Sequence, residues 1–415
     1  GNDHRYHSGI LDAMRIRPGI VVLHDFALQD LFLGLTPERN DFKFYLEEVE
    51  ACYGRKCRIV VKEELTRGAT PSIVYRPLEF PLNSRMVNSA EGVIVHSDWA
   101  RQRLAKIAAG VPIAHIPHLI KFDESDRATN HTNAEVRIAN FGLITPGKGI
   151  ELALRALSKL KQTHRFKYSL IGEPNGYYDV RKLIRDYRMD GLVEISGHVS
   201  LDQFLKGMDE TDIALNIRER TVGETSGCLC RLMAKGVCSV VADDGWYSEL
   251  PDDSVVKLPI DNTTDDLLIA YLQRLIEDQS LRKRIGANAA RYVRATYAVE
   301  RSADAYLSFI QSVMDRRLQR QLVATVSDDL TKLGATSVDQ KFLESVAVEV
   351  SLLTTPTNVF VENKPDTPAN GNNGVLSGRT PKVTGIDYKQ AAKDYLGNIP
   401  EERQHHLRTK PFYNL

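Results

Sequence analysis

GETSGCLCRLMAKGVCSVVADDGWYSELP, residues Gly223 to Pro251, is the stretch on which the fold of this chain turns. Its first five residues form a small polar turn. Leu229, Leu232 and Met233 then recur at helical spacing, and Gly236 stops the helix. Val237 to Ala242 is a nearly unbroken apolar run, the pattern of a parallel strand buried on both faces, and Asp243, Asp244 and Gly245 supply the turn after it. Loop, helix and returning strand make one turn of a doubly wound sheet. A helix opening on Ser226 and Gly227 presents unpaired backbone N–H groups and the positive end of its dipole, which suits a phosphate. Taken alone, the same five residues are an ordinary helix cap, so the surrounding chain has to decide.

Upstream, strand and helix keep alternating. Val136 to Phe141 reads as a strand, Gly142 to Gly149 as a glycine-bearing loop, and Ile150 to Gln162 as an amphipathic helix with Leu152, Ala156, Leu157 and Leu160 inward. Strands are expected at Tyr168–Ile171, Val193–Ile195 and Ile213–Ile217, separated by helices at Asp179–Arg188 and Leu201–Met208. Helices at Leu267–Ile276, Leu281–Val293 and Ala303 to about Arg320 follow the central stretch. Such alternation predicts a parallel sheet with helices on both faces.

The first part of the chain repeats the theme less regularly. Ile20 to Leu23 is a strand ending in His24 and Asp25, Asp41 to Arg67 is helical, and Gly92 to Val95 and Ile113 to Ile116 are two more strands. Ser97 caps a helix from Trp99 to Ala109. The domain plan that results is an α/β first domain over residues 1–120, a polar linker over 121–135, and a second α/β domain over 136–302. A crossover helix over 303–320, a helical extension over 321–353, a flexible Pro/Asn/Gly/Thr/Ser-rich linker over 354–385 and a tail over 386–415 complete it.

The 415 residues carry 54 Lys plus Arg against 54 Asp plus Glu, so no net field draws the chain to nucleic acid or an anionic membrane. No apolar run approaches the length of a membrane span. Five cysteines, odd in number and without zinc-like C-x-x-C pairs, fit thiols in a reducing compartment, and the expected location is cytoplasmic or peripheral at the inner face of a membrane.

Three groups carry the chemistry. Gly142, Lys148 and Gly149 lie in one strand-to-helix loop, Arg218 and Glu224 in another, and His24 at a strand end of the first domain, where ligands bind in open α/β sheets. A lysine beside a helix start holds a phosphate as a point charge; in an exposed loop it is equally a solvated residue. His24 reads either as a ligand-facing side chain or as a histidine satisfied by the backbone.

NFGLITPGKGIELALRAL at Asn140 to Leu157 resembles the G-R-x-x-P-x-K-G loop of family 4 retaining glycosyltransferases, the group 1 enzymes. The central stretch is similar to a subgroup with G-E-T-S-G, L-x-R-x-L-A-x-G and D-x-G-W-x-x-E-L-P. GNDHRYH at Gly1 to His7, PGIVVLHDFAL at Pro18 to Leu28, and VIVHSDWA with IPH at Val93 to His118 resemble the same subgroup, so the likeness covers about residues 1 to 318. It implies a GT-B fold: two Rossmann-like domains facing across a cleft, a nucleotide-sugar donor on the second, a glycan, lipid-linked or other hydroxyl acceptor on the first, and a helix after Ala303 crossing back. It also implies no cofactor and no metal, and the sequence has no D-x-D pair.

Residue by residue, the resemblance gives His24, Lys148 and Glu224 as catalytic. It gives Gly142, Lys148, Arg218, Glu224, Thr225, Ser226, Gly227 and Arg231 as donor-binding, and Asn2, His7 and Asp25 as acceptor-side. Leu143 stands where the family has arginine, leaving Arg218 or Arg231 to supply that charge. Arg231 stands where the broader family has its ribose-binding glutamate. The chain is expected to be a fragment lacking a first strand and leading into a further domain, a methyltransferase or second transferase. The expected reaction is retaining sugar transfer in polysaccharide or glycoconjugate synthesis; a sugar-nucleotide epimerase and a degenerate binding module remain open beside it.

Overall fold

In the computed structural model, residues 1–38, 42–108, 110–121, 135–332 and 340–354 are described. The chain falls into two units, Gly1–Gly334 and Ala335–Leu415. The linker expected at 121–135 lies almost wholly outside the described residues, as do the segments 355–385 and 386–415.

The first unit opens with α1 (His4–Ile16), β1 (Ile20–Leu23), α2 (Gln29–Glu38), α3 (Lys43–Thr66), α4 (Ser84–Ser89), β2 (Gly92–Val95), α5 (Asp98–Ala105) and β3 (Ile113–His115). The strands form a parallel sheet in the order β1-β2-β3, with Leu23 in register with Val95 and Val95 with His115. Residues just past those positions therefore emerge side by side at one edge of the sheet. The β2 run Gly-Val-Ile-Val is buried throughout, as expected of a central parallel strand.

A second sheet follows: β4 (Val136–Phe141), α6 (Ile150–Leu160), β5 (Phe166–Ile171), α7 (Val180–Asp186), β6 (Val193–Ile195), α8 (Leu201–Asp209), β7 (Ile213–Asn216), α9 (Gly227–Ala234), β8 (Cys238–Ala242), β9 (Val256–Leu258), α10 (Thr264–Glu277) and α11 (Gln279–Thr296). Its strands are all parallel in the order β6-β5-β4-β7-β8-β9. Numbered from β4, that is 3-2-1-4-5-6, the doubly wound Rossmann order, whose switch point falls between β4 and β7. The seven buried apolar residues of α6, from Ile150 to Leu160, pack it onto the sheet. Helix α9 closes at Gly236 in a Schellman motif: Gly236 N–H donates to Met233 O and Val237 N–H to Leu232 O, which delivers the chain straight into β8.

Helix α12 (Val299–Lys332) returns to the first sheet. Phe309 and Val313 cover Gly92, where an added Cβ would lie 2.9 Å from Val313 Cγ2, and Arg317 reaches Glu91 at 3.7 Å. The second unit contributes one described helix, α13 (Gln340–Thr354).

Several elements differ from the sequence-based expectations. The helix expected to end near Arg320 continues to Lys332, because no glycine or proline interrupts it before Gly334. The helix expected over Asp41–Arg67 is broken at Gly54, whose φ of 81° and ψ of 172° are not helical. Helices α1, α2 and α4 and strand β9 were not anticipated. Gly34, Thr36 and Pro37 disguise α2, while β9 is only three residues long.

Candidate functional site

Two loops meet at the switch point, one after β4 and one after β7. Buried Tyr168 donates its hydroxyl to Asn140 Oδ1 at 2.9 Å, and Asn140 Nδ2 donates to the Lys148 carbonyl at 3.2 Å, so the first loop hangs from the sheet itself. The Lys148 side chain folds back until Nζ donates to Phe141 O at 3.4 Å. Gly142 lies directly beneath it with a φ of 89°, a backbone conformation that favours glycine, and a Cβ there would stand 2.9 Å from Nζ and push the ammonium aside. Burial lowers the Lys148 pKa to about 8, and the neighbouring Arg218 charge adds to the effect.

Arg218, two residues past β7, is oriented by Glu224: Nε lies 3.1 Å from Oε1 with both side chains largely buried. The other carboxylate oxygen of Glu224 accepts from Thr221 Oγ1 and from the Val222 N–H, each at 2.9 Å. One carboxylate thus aims the arginine and folds the turn. Burial works against the Arg218 charge, yet Tyr247 and Glu224 hold its pKa above the ordinary value. At the end of the turn the Ser226 side chain accepts from the Leu229 N–H at 3.1 Å and starts α9.

The first sheet supplies the facing side. The register that aligns Leu23, Val95 and His115 brings His24 and His96 together, with His96 Nε2 3.0 Å from His24 Nδ1. His96 Nδ1 lies 2.7 Å from Ile116 O, and His118 Nε2 lies 2.6 Å from Thr225 Oγ1. The His96 and His118 rings stack at 4.1 Å with planes 24° apart; His24 and His118 lie 5.8 Å and 9° apart. Burial, with His96 nearby, takes His24 and His118 down to a pKa of about 3. Nitrogens of these three residues lie within 4.8 Å of one another, a spacing that would admit a metal ion. As the rings stand, however, His24 Nδ1 and His96 Nε2 are paired with each other and His118 Nε2 with Thr225 Oγ1, so these nitrogens already have protein partners.

The two sheets touch around this spot. Ala27 N–H donates to Val222 O at 2.8 Å, and a Cβ on Gly223 would collide with Phe26 and Trp99. Glu249, just before the Leu250–Pro251 end of the central stretch, accepts the N–H of Asp98 at 3.1 Å and also that of Trp99, covering the start of α5 from the other side.

Residues 121–292 match the family described as Glycosyl transferases group 1. That segment, 172 of the 415 residues, is a group 1 glycosyltransferase domain. Among solved structures, HepE from Anabaena in complex with UDP and glucose is similar at 17% identity, over 74% of each chain, with a TM-score of 0.50. Sucrose-phosphate synthase from Thermosynechococcus elongatus is 18% identical over 59% of this chain, with a TM-score of 0.46, and the match spans 61% of that protein's length. A TarM variant from S. aureus is 17% identical over 57% of this chain and 46% of its own, with a TM-score of 0.49. No curated protein sequence matches the chain. The architecture is GT-B.

Within the group 1 domain, Gly142, Lys148, Arg218, Glu224, Thr225, Ser226 and Gly227 come together in the two switch-point loops. Arg231 sits one turn into α9, where its charge helps depress the His118 pKa, while Leu143 is exposed. Across from the domain, Asn2 is fully engaged. Its backbone N–H donates to Asp25 at 2.6 Å, its Nδ2 to Asp30 at 2.9 Å, and its Oδ1 accepts from Leu31 N–H at 3.0 Å. His7 Nδ1 lies 2.9 Å from Asp3 O. Burial raises the pKa of Asp25, opposed by the Asn2 bond and reinforced by Glu224. Sequence reasoning did not single out His96, His118 or Tyr247; Glu249 was visible only as a member of the D-x-G-W-x-x-E-L-P motif. His96 and His118 stood in motifs already read, and the signal that would have found them is their offset from the ends of adjacent parallel strands. Among the described residues no helix is long and apolar enough to cross a membrane.

Proposed function

We propose that this chain transfers a sugar from a nucleotide-sugar donor to an acceptor hydroxyl with retention at the anomeric carbon, in polysaccharide or glycoconjugate synthesis. The observation that carries the reading is the convergence of Lys148, Arg218 and the opening of α9 at the switch point of a Rossmann-order sheet. As the glycosidic bond to the diphosphate breaks, negative charge grows on the leaving oxygens. Two buried cations and the helix start, already aimed by Asn140 and Glu224, stabilise that charge without reorganising. Arg218 takes the part that Leu143 cannot. The side chains themselves supply the positive charge, so the reaction needs no metal.

His24 faces the donor sugar, and Asn2, His7 and Asp25 belong to the acceptor side. Among the described residues no side chain stands out as a nucleophile, which favours departure and attack on one face of the sugar. UDP is the first nucleotide to test, because HepE was solved with it. The test is mass spectrometry and anomeric NMR of products from a panel of nucleotide sugars, with and without acceptor. A retained glycoside is expected. Epimerised free donor would make the chain an epimerase, and binding without turnover would make it a binding module, the reading that Leu143 favours.

A further inference from the structure

We propose that His96 is a positioning residue that locks His24 in one tautomer, so that His24 presents Nε2 as a hydrogen-bond acceptor toward a hydroxyl of the donor sugar. The hydroxyl part rests on the transferase reading; the tautomer part stands on geometry alone. Ile116 O can only accept, so His96 Nδ1, 2.7 Å away, carries the proton. A neutral imidazole has one N–H, so His96 Nε2 is then an acceptor. His24 Nδ1 lies 3.0 Å from it and must donate, which leaves the lone pair of His24 on Nε2.

The surroundings keep both rings neutral and still. His96 is 4% exposed, and burial lowers its pKa as it does that of His24. Among the charged and titratable groups near His24 are His96 and His7, both of which act against a second proton. His118 stacks on His96 and lies parallel to His24, fixing the ring planes, and its bond to Thr225 joins the group to the donor-side turn. The chain of bonds runs from a backbone carbonyl through two imidazoles to the one remaining lone pair, on His24 Nε2. Such a group accepts from a sugar hydroxyl and cannot donate to a carbonyl or carboxylate. A donor sugar deoxygenated at the contacted position would leave the lone pair unpartnered, and kcat/KM for it should fall on the order of tenfold to a hundredfold.

The experiment is long-range ¹H–¹⁵N correlation NMR on the full chain labelled with ¹⁵N-histidine, His24 being assigned by its loss in His24→Asn. The expected spectrum shows His24 with Nδ1 protonated and Nε2 bare. His96→Gln retains an acceptor at the Nε2 position and should keep that tautomer. His96→Leu removes it and should lose both the tautomer preference and about tenfold or more of kcat, with donor KM little changed. An Nε2–H tautomer in the wild type, or its Nδ1–H form persisting in a folded His96→Leu, overturns the proposal; the wild-type spectrum decides even if the leucine variant fails to fold. A bare Nε2 whose shift no nucleotide sugar moves, while nucleoside diphosphate still binds, overturns the hydroxyl role. Absence of any nucleotide binding overturns the transferase reading and leaves the tautomer assignment intact.

Discussion

If Lys148 meets the diphosphate as proposed, its low pKa makes nucleotide binding take up a proton. In the empty protein burial and the Arg218 charge hold this lysine at about 8, against an ordinary value of 10.5. An anionic diphosphate restores the partner that burial removed, and the bound value moves back toward the ordinary one. Uptake per site should then be about 0.1 proton at pH 7, about 0.5 at pH 8 and about 0.9 at pH 9. Affinity follows the same linkage: it should fall about fivefold between pH 8 and pH 9, where the ligand's phosphates are already ionised. Cys228, pushed up to about 11 by burial, and Arg218, held above its ordinary range, are silent in that window. The assay is calorimetric titration of a nucleoside diphosphate in buffers of different ionisation enthalpy. Heat at pH 9 that does not vary with buffer, or affinity indifferent to pH, would refute the reasoning.

The same lysine weakens the empty fold. Its folded pKa lies below its unfolded value, so the unfolded chain binds more protons between about 8 and 10.5, and stability rises with pH across that window. Below pH 8 the buried charge costs on the order of 3 kcal/mol. Lys148→Met should therefore raise the melting temperature at pH 7 while lowering turnover about a hundredfold or more, and a variant unchanged in both removes Lys148 from the diphosphate site.

Acid should destabilise the protein through its histidines. His24 and His118 titrate at about 3 when folded and 6.5 when unfolded, so stability falls as pH drops from 6.5 toward 3, by up to about 3 kcal/mol per pH unit for the pair; urea midpoints flat from pH 6.5 to 5 would contradict this. Glu249→Ala should cost about 1 kcal/mol, since it strips the acceptor from the first two N–H groups of α5 while Ser97 still caps Ala100, and should loosen the contact between the sheets. Small-angle scattering should register a larger radius of gyration, and an unchanged profile with unchanged stability would make the cap incidental. Arg231→Glu should weaken diphosphate binding about tenfold, by putting a carboxylate near the anion, whereas equal or tighter binding would move this position from phosphate to ribose.

The second sheet was legible because it advertises itself locally. Buried parallel strands such as Cys238–Ala242 are short apolar runs, and α6 repeats its leucines at helical spacing, so all of the sheet's elements but the three-residue β9 are visible in their own residues. The first sheet was harder to read. Its helices α1 and α2 carry His, Gly, Thr and Pro where a helix would show clean periodicity, and what holds them is tertiary: Asn2 at the start of α2, and Gly34 against the His4 ring. The two switch-point loops could be picked out because glycines, a lysine and a polar turn have chemical meaning at short range. In sequence, a carboxylate that aims Arg218 and folds its own turn, as Glu224 does, looks the same as one that touches substrate.

What could not be read locally was anything set by register between strands. His24 and His96 are 72 positions apart, and each alone is a histidine at the end of an apolar run. Only the pairing of Leu23 with Val95 makes them neighbours, and only the carbonyl of Ile116, delivered by β3, decides which nitrogen of each holds the proton. Three short parallel strands thus fix a protonation state as well as a position. The same rule applies across the two sheets, where Gly223 lets the turn approach Phe26 and Trp99 closely enough for Thr225 to reach His118. A bulkier residue at 223 would part these groups without altering any of them, so the bond between the Thr225 turn and the histidine cluster depends on a residue that carries no chemistry of its own.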